Sequence, residues 1–375
     1  MDIFNKSIGF LLISAIGISL FVCFHLIRHG GLKLVNRRIA IALQLLWILR
    51  FGLSFIKGDN ELMDNPHLVI YDQALFFLDG LLVWLYVRSL LQPKKSFRKV
   101  WWHFIPFLFV FLYSAYMAFI EPEFVLQTYN DYAMKLNQTE TIVSFEDVIF
   151  ITFLLGITLI YLFLSVRITT SYNQELKLNF SNIDHLTINW VQKFQWLWIA
   201  FFVIPFVVYF INYMFPFTNR IVFGNILIIL FVLLSMVFNF FLLEQVYKPV
   251  SIINPSESVE KEIVKADKNQ KEVAKLKNLL ATEEYYLDDE LSLGSLAEYM
   301  QMKPAELTAL IKSTEYENFY DLINSYRVEA IKKQLKETNE QVIQLAYQNG
   351  FRSKSTFNKI FKEKTGMTPK EYRLS

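Results

Sequence analysis

Residues 344–373 read QLAYQNGFRSKSTFNKIFKEKTGMTPKEYR. Apolar residues recur at helical spacing on both sides of Gly350, and glycine is the usual residue in the sharp turn that ends a helix. Two serines follow the turn, and a serine side chain can accept a hydrogen bond from the first free N–H groups of a helix. The stretch therefore predicts a helix over 340–349, a turn, and a second helix over 354–365.

This stretch resembles the signature of AraC/XylS-type transcription regulators. The matching residues are Ala346, Gly350, Phe351, Ser353, Ser355, Phe357, Phe361, Lys362, Gly366, Thr368, Pro369, Tyr372 and Arg373. Residues 318–330, NFYDLINSYRVEA, resemble the helix that joins the family's two helix-turn-helix units. The resemblance covers about the last quarter of the chain. It implies a DNA-binding domain whose two recognition helices enter successive segments of the major groove.

The resemblance also assigns roles by position. In the second recognition helix it implies that the DNA-facing residues are Lys354, Ser355, Thr356, Asn358 and Lys359. Lys362 lies one turn below Asn358 and is better placed for a phosphate, while Phe351, Phe357, Ile360 and Phe361 are expected in the core. The equivalent face of the first recognition helix carries Ala305, Thr308, Ala309 and Lys312. This face departs from the family, which often has large polar residues there, and Lys303 replaces its usual Ser or Asn cap. We therefore expect the second unit to dominate affinity, and base reading by the first remains open.

Helical spacing extends upstream of this stretch. It predicts seven short helices near 273–284, 292–300, 304–313, 318–337, 340–349, 354–365 and 369–373. Charge divides this domain in two. Leu280–Asp321 holds two Lys and ten acidic residues, whereas Leu322–Ser375 holds eleven Lys or Arg and five acidic residues. The basic half suits contact with a phosphate backbone.

The rest of the chain has a different composition. The whole protein is 54% hydrophobic and 19% charged, against roughly 25% charged for an average soluble domain. Intrinsic disorder and collagen are excluded by this composition, and a disulfide framework is excluded by the single cysteine. Seven apolar stretches have the length, about 20 residues, that a bilayer requires. They run over 8–27, 39–56, 68–91, 101–120, 148–166, 194–214 and 221–243.

Lys and Arg are distributed unevenly between the connections of these seven stretches. With Arg88, near the end of the third stretch, counted in the connection that follows it, twelve lie in the first, third and fifth connections. Four lie in the N-terminal segment and the even connections. Because cytoplasmic loops carry the excess of Lys and Arg, the bias predicts an external N-terminus and a cytoplasmic C-terminus. The chain is therefore expected to be a multi-pass protein of the inner (cytoplasmic) membrane.

The predicted fold class is all-α: a bundle of seven transmembrane helices followed by a seven-helix domain with two helix-turn-helix units. The predicted domains are a membrane domain over 1–247, a charged cytoplasmic linker over 248–277 and a DNA-binding domain over 278–375. The linker is expected to be a solvated, partly helical tether, and a short coiled coil is the alternative.

Arg50, Asp72 and Asp79 are ionisable residues deep inside the predicted spans. Asp72 and Asp79 are seven residues apart on one helix face, and Arg50 lies at a similar depth in the preceding span. Charges at membrane depth are costly and mark functional candidates. Two interpretations stay open: an ion pair that fixes two helices, and a site that senses a ligand or a proton.

The patterns favour a membrane-embedded, sequence-specific transcription regulator that couples a signal at the bilayer to gene expression. The alternatives are a membrane transporter or enzyme with an appended regulatory module, and a module used for protein contacts only. HExxH, GxSxG and P-loop motifs are absent from the sequence, so we predict no catalytic residues, metal or cofactor. The predicted partners are double-stranded DNA and the lipid bilayer. A small-molecule or membrane-protein signal and a homodimer are left open.

Overall fold

The computed structural model describes residues 2–29, 32–58, 67–92, 100–121, 123, 145–184, 189–214, 220–247 and 269–375. Within these residues the chain is all-helical apart from one isolated β-bridge, which confirms the predicted all-α class. The chain divides into two compact units. The first comprises the described residues of Met1–Thr169 and Ile188–Val250, and the second those of Thr170–Thr187 and Ser251–Ser375.

The first unit is built from long apolar helices. They are α1 (Asp2–Arg28), α2 (Leu34–Gly58), α3 (His67–Leu91), α4 (Ile105–Ile120), α5 (Phe145–Asn179), α6 (Asn189–Met214) and α7 (Arg220–Tyr247). Each contains a segment that is long and apolar enough to cross a bilayer, judged by length and composition. A helix suits such sequences because it satisfies its backbone hydrogen bonds internally.

Helix α3 forms the centre of this unit. Over Ala74–Leu91, 83% of its residues are buried, whereas only 11% are buried over Val100–Met117, which includes most of α4. A Cβ atom on Gly80 would lie 2.9 Å from the backbone oxygen of Thr158, so α3 and α5 approach too closely there for any larger residue. Small residues at helix contacts are typical of membrane bundles.

Buried polar pairs and aromatic rings connect the helices around α3. The amide of Gln44 donates to Asn239 at 2.7 Å, and the hydroxyl of Tyr86 donates to Gln245 at 2.8 Å. The Trp47 ring stacks on that of Trp198 with centroids 5.5 Å apart. These contacts tie α7 to α2 and α3, and α2 to α6.

Among the described residues, the second unit contains seven shorter helices, whose bounds lie within a few residues of the predicted ones. They are α8 (Asn269–Thr282), α9 (Leu293–Tyr299), α10 (Pro304–Lys312), α11 (Phe319–Glu337), α12 (Val342–Gln348), α13 (Lys354–Thr365) and α14 (Pro369–Leu374). Helix α8 begins inside the range predicted as linker, and its Leu276 and Leu280 are buried in the core. The apolar residues of α8 thus pack within this unit. Residues 248–268 lie outside the described residues.

Two hydrophobic cores lie at the two ends of α11. Phe319, Leu322 and Ile323 join the core formed with α8, α9 and α10. Val328 and Ile331 join a second core with α12, α13 and α14. Because one helix contributes to both cores, it holds the pairs α9–α10 and α12–α13 in a fixed relation within the unit.

Candidate nucleic-acid interface

Helix α13 is held by the core along one side. Phe357 and Phe361 are fully buried, Ile360 is 4% exposed and Phe351, just before the helix, is 3% exposed, as predicted. The rings of Phe351 and Phe357 make an edge contact with centroids 5.3 Å apart. This packing fixes which side chains of α13 face away from the unit.

The residues predicted to contact DNA lie mainly on the opposite side. Lys354, Ser355, Asn358, Lys359 and Lys362 are exposed, and Thr356 is half-buried. The Lys359 ammonium lies 3.9 Å from the Glu363 carboxylate, and 74% of its side chain is exposed. An exposed pair of this kind is weak, so it does not prevent the Lys359 ammonium from extending toward a ligand. The face therefore combines lysines with hydroxyl and amide groups, the set that binds phosphates and base edges.

The turn before α13 requires a glycine. Gly350 has a φ of +79°, and a Cβ atom there would lie 2.7 Å from the backbone oxygen of Leu287 and 2.9 Å from that of Tyr286. Glycine has neither the steric penalty of a positive φ nor a Cβ atom. The predicted turn is thus also a close approach to the segment that precedes α9.

Helix α10, which was predicted to be the first recognition helix, presents a different surface. Ala305, Thr308 and Ala309 are half-buried and Lys312 is exposed. The Thr308 hydroxyl donates to the backbone oxygen of Pro304 at 2.9 Å, within its own helix. The backbone N–H of Lys303, at the N-cap position, donates to the Glu306 carboxylate at 2.9 Å.

Arg327, on α11, is a fully buried charge that sequence reasoning did not single out. Its guanidinium donates to the backbone oxygens of Tyr286 and Asp288, at 2.7 and 2.8 Å, and to the backbone oxygen and hydroxyl of Ser181, at 3.3 and 3.2 Å. Burial lowers the pKa of Arg327 to about 10, so it stays charged at neutral pH. The available signal was an arginine within an apolar stripe of α11.

Arg352 makes a second charged link to the same region. Its guanidinium donates to Asp289 at 2.6 Å and to Glu290 at 2.8 Å. The hydrogen bond from Arg352 holds the pKa of Asp289 below its ordinary value, even though burial opposes the shift. This link attaches the turn before α13 to the segment before α9.

The segment after α5, Phe180–Asp184, is packed within this second unit. Phe180 forms an antiparallel β-bridge with Ser292, and the N–H and hydroxyl of Ser181 donate to the oxygen of Leu291 at 3.2 and 2.7 Å. Asn324 also donates to the backbone oxygen of Ser181, at 3.2 Å. In the sequence this segment lies in a predicted connection between membrane spans and carries no motif.

Asp184 ends this segment at the first turn of α13. Its carboxylate accepts a hydrogen bond from the Ser353 hydroxyl at 2.7 Å and another from the Thr356 hydroxyl at 2.6 Å. Ser353 is the N-cap residue of α13, and its oxygen accepts from the Thr356 N–H at 3.2 Å. Burial raises the pKa of Tyr320, and the negative charge of Asp184 adds to the shift.

In the first unit, Arg50 forms an ion pair with Asp79. Asp79 is fully buried and also accepts from the Trp47 indole at 3.3 Å. The Arg50 guanidinium lies 3.7 Å from the centre of the Phe76 ring. Asp72 falls within α3, but its side chain lies outside the described residues. The described parts of the chain contain no group of three His, Cys, Asp or Glu residues that could hold a metal ion.

Comparisons with known proteins concern the end of the chain. Residues 296–375 match the family described as a helix-turn-helix domain. Over 90 residues the chain is 34% identical to an uncharacterised HTH-type transcriptional regulator of Staphylococcus aureus strain COL, a match that covers 24% of this chain and 12% of that protein. The chain thus spans about an eighth of the length of this relative.

A second relative is the multiple antibiotic resistance protein MarA of Salmonella typhimurium. It is 29% identical over 89 residues, which are 24% of this chain and 70% of MarA. Among solved structures, the C-terminal domain of AraT, a response regulator from Geobacillus stearothermophilus, is 24% identical, covers 28% of this chain and 84% of that one, and has a TM-score of 0.25. The C-terminal region of the chain is an AraC-type helix-turn-helix domain.

Proposed function

We propose that this protein is a membrane-embedded transcription regulator that binds specific DNA sequences and couples a signal at the bilayer to gene expression. The proposal depends chiefly on one observation. An AraC-type domain with an exposed, lysine-rich α13 lies on the same chain as seven helices long and apolar enough to cross a membrane. In this proposal α9–α10 and α12–α13 are the two helix-turn-helix units.

The location follows from the same argument. The Lys and Arg bias puts the N-terminus outside and the C-terminal unit in the cytoplasm, where DNA is found. We propose the inner membrane as the location. A reporter that is active only outside the membrane, fused after Ser375, is expected to be silent, and activity of that fusion would contradict the topology.

DNA binding is tested with the full chain in lipid nanodiscs. Selection from a pool of random-sequence duplexes, followed by fluorescence anisotropy in a salt series, should yield enriched sequences whose affinity falls steeply with salt. The double variant Lys359→Ala/Lys362→Ala should lose most of this binding. Lys271→Ala removes one exposed lysine from α8 and serves as the control. Failure to enrich any sequence, with no salt-dependent affinity, would contradict the proposed function.

For the signal, we propose that the Arg50–Asp79 pair holds the bundle in one of its signalling states. Arg50→Ala leaves a buried carboxylate uncompensated, which costs on the order of 3–5 kcal/mol in soluble interiors. The variant should misfold or lock the output of a reporter gene under an enriched operator. The charge-swapped double variant Arg50→Asp/Asp79→Arg should recover part of the fold. Normal expression with normal signalling in Arg50→Ala would contradict this role.

The partner that delivers the signal, a small molecule or a membrane protein, belongs to the same proposal, as does a homodimer. Many helix-turn-helix proteins bind two half-sites as symmetric dimers. Enriched sequences that contain two repeated half-sites would support a dimer, and a single asymmetric site would contradict it.

A further inference from the structure

The segment Phe180–Asp184 brings a carboxylate to the start of the helix that the proposed function assigns to DNA. Both oxygens of Asp184 are used there, one by Ser353 and one by Thr356. Thr356 is one of the residues expected to face DNA. A negative charge is stabilised at this position because the N-terminus of the 12-residue α13 carries free N–H groups and the positive end of the helix dipole.

A DNA phosphate has the same requirements as this carboxylate. It is an anion that accepts hydrogen bonds from hydroxyl groups and helix N-termini, and such contacts fix the position of a protein on the duplex. A carboxylate and a phosphate cannot share the same two hydroxyls, and they repel each other. The chain therefore carries its own competitor for this contact.

We propose that Phe180–Asp184 is an autoinhibitory segment, in which Asp184 occupies the phosphate contact at the start of α13 until the segment is withdrawn. This inference rests on the proposed function, because it takes α13 to be a DNA-contacting helix. The segment is the direct continuation of α5, which contributes residues to both units. A signal that displaces α5 therefore has a covalent route to Asp184.

The segment is attached by hydrogen bonds on both sides of one unsatisfied polar group. Ser181 is fixed by hydrogen bonds to Leu291, Asn324 and Arg327. The side-chain nitrogen of Asn182, by contrast, is buried without a hydrogen-bond partner among the described residues. An unsatisfied buried donor costs free energy that withdrawal of the segment recovers. The docked state is thus stabilised on one side of Asn182 by Ser181 and on the other by Asp184.

The test uses the full chain in nanodiscs and a fluorescein-labelled duplex of random sequence at about 50 mM salt, where electrostatic binding is strong. Asp184→Ala should raise the affinity by roughly 5- to 150-fold, the range typical of coupling between two sites. Asp184→Asn removes the charge but keeps one acceptor, so its gain should be smaller. Ser181→Ala should raise the affinity without any change at α13.

Glu283→Ala is the matched control. It removes one exposed negative charge from the turn after α8, outside both helix pairs, and should change affinity by less than about twofold because salt screens distant charges. A gain of binding cannot come from misfolding, which would reduce it. Addition of the duplex to the wild-type chain should also speed hydrogen exchange in Phe180–Asp184.

The outcomes separate the two proposals. Equal, measurable affinity of the wild type and Asp184→Ala would overturn autoinhibition and leave DNA binding intact. An equal gain for Asp184→Ala and Glu283→Ala would also overturn it, because the effect would then be one of net charge. If no variant binds DNA, the proposed function fails, and autoinhibition fails with it.

Discussion

The two helix pairs of the C-terminal unit close their turns in the same way. In each pair the backbone N–H of a residue after the turn donates to the backbone oxygen of a buried alanine: Met302 to Ala297 and Phe351 to Ala346, both at 3.0 Å. The preceding residue donates to the next carbonyl along, which completes a Schellman motif. The backbone plan of the turn is therefore common to both pairs.

The residues on that plan differ. The residue with positive φ is Gln301 in the first pair, at 58°, and Gly350 in the second, at 79°. The next helix begins with Lys303 and Pro304 in the first pair but with Ser353 in the second, where hydroxyl groups face an anion. Both pairs therefore share the backbone of the turn and differ in the first turn of the helix that follows it.

We expect the largest loss of stability from a substitution in the turn of the second pair. Gly350→Ala introduces a side chain at positive φ, which costs about 1–2 kcal/mol, and overpacks it against Leu287, which typically costs about 1–3 kcal/mol. Gln301→Ala, at the equivalent position, should change stability by less than about 0.5 kcal/mol. In the full chain, hydrogen exchange over 341–375 reports the effect of Gly350→Ala, and exchange over 293–312 reports that of Gln301→Ala. Equal protection in the two variants would contradict the comparison.

A smaller effect concerns base recognition. Lys359→Ala should relax preference at one base pair of an enriched operator, at a cost of about 1–3 kcal/mol, because a lysine can bond guanine O6 and N7. Lys312→Ala and Ala305→Ser, in the first pair, should cost less. Competition with operators that carry single base changes gives the values. A loss of preference confined to the first-pair variants would reverse our ranking.

Lys362→Ala tests whether the second helix pair contacts phosphate. Its ammonium is exposed one turn below Asn358, so its removal should weaken binding to all sequences alike. The slope of log affinity against log salt should decrease in magnitude by roughly one. A change in base preference without a change in slope would assign Lys362 to the groove instead.

The smallest effect is one of pH. Arg352 lowers the pKa of Asp289 from 3.8, so the ion pair adds stability above the unfolded-state pKa, and this stability is lost as the pH falls through the folded-state value. Asp289→Asn should remove that part of the acid dependence below about pH 4. The effect is small because 46% of the Asp289 side chain is exposed. Thermal melts of both proteins across this range would show it, and identical curves would contradict it.

Much of the fold could be predicted because its signals are local. Apolar stretches, helical spacing and the turn at Gly350 each depend on residues close in sequence, and the core positions Phe357 and Phe361 followed from them. The close approach of Gly350 to Leu287 could not be predicted, since it joins segments 63 residues apart in the chain.

For the same reason, only part of the candidate site could be predicted from the sequence. The lysines of α13 follow from position within a helix. Asp184, in contrast, lies 169 residues before Ser353, and its sequence context does not distinguish it from other aspartates in loops. Arg327 could not be predicted because its acceptors are backbone oxygens and uncharged side chains, so no acidic residue in the sequence marks a partner for it.

Helix α5 is 35 residues long, which at about 1.5 Å per residue makes a rod of roughly 50 Å, against a hydrocarbon core of about 30 Å. After Gly156 it contains neither glycine nor proline up to its end at Asn179, so it lacks the usual sites of a kink. Asp184 follows only five residues beyond the helix. A rotation of α5 about its own axis would therefore act on the segment Phe180–Asp184 as directly as a displacement along that axis.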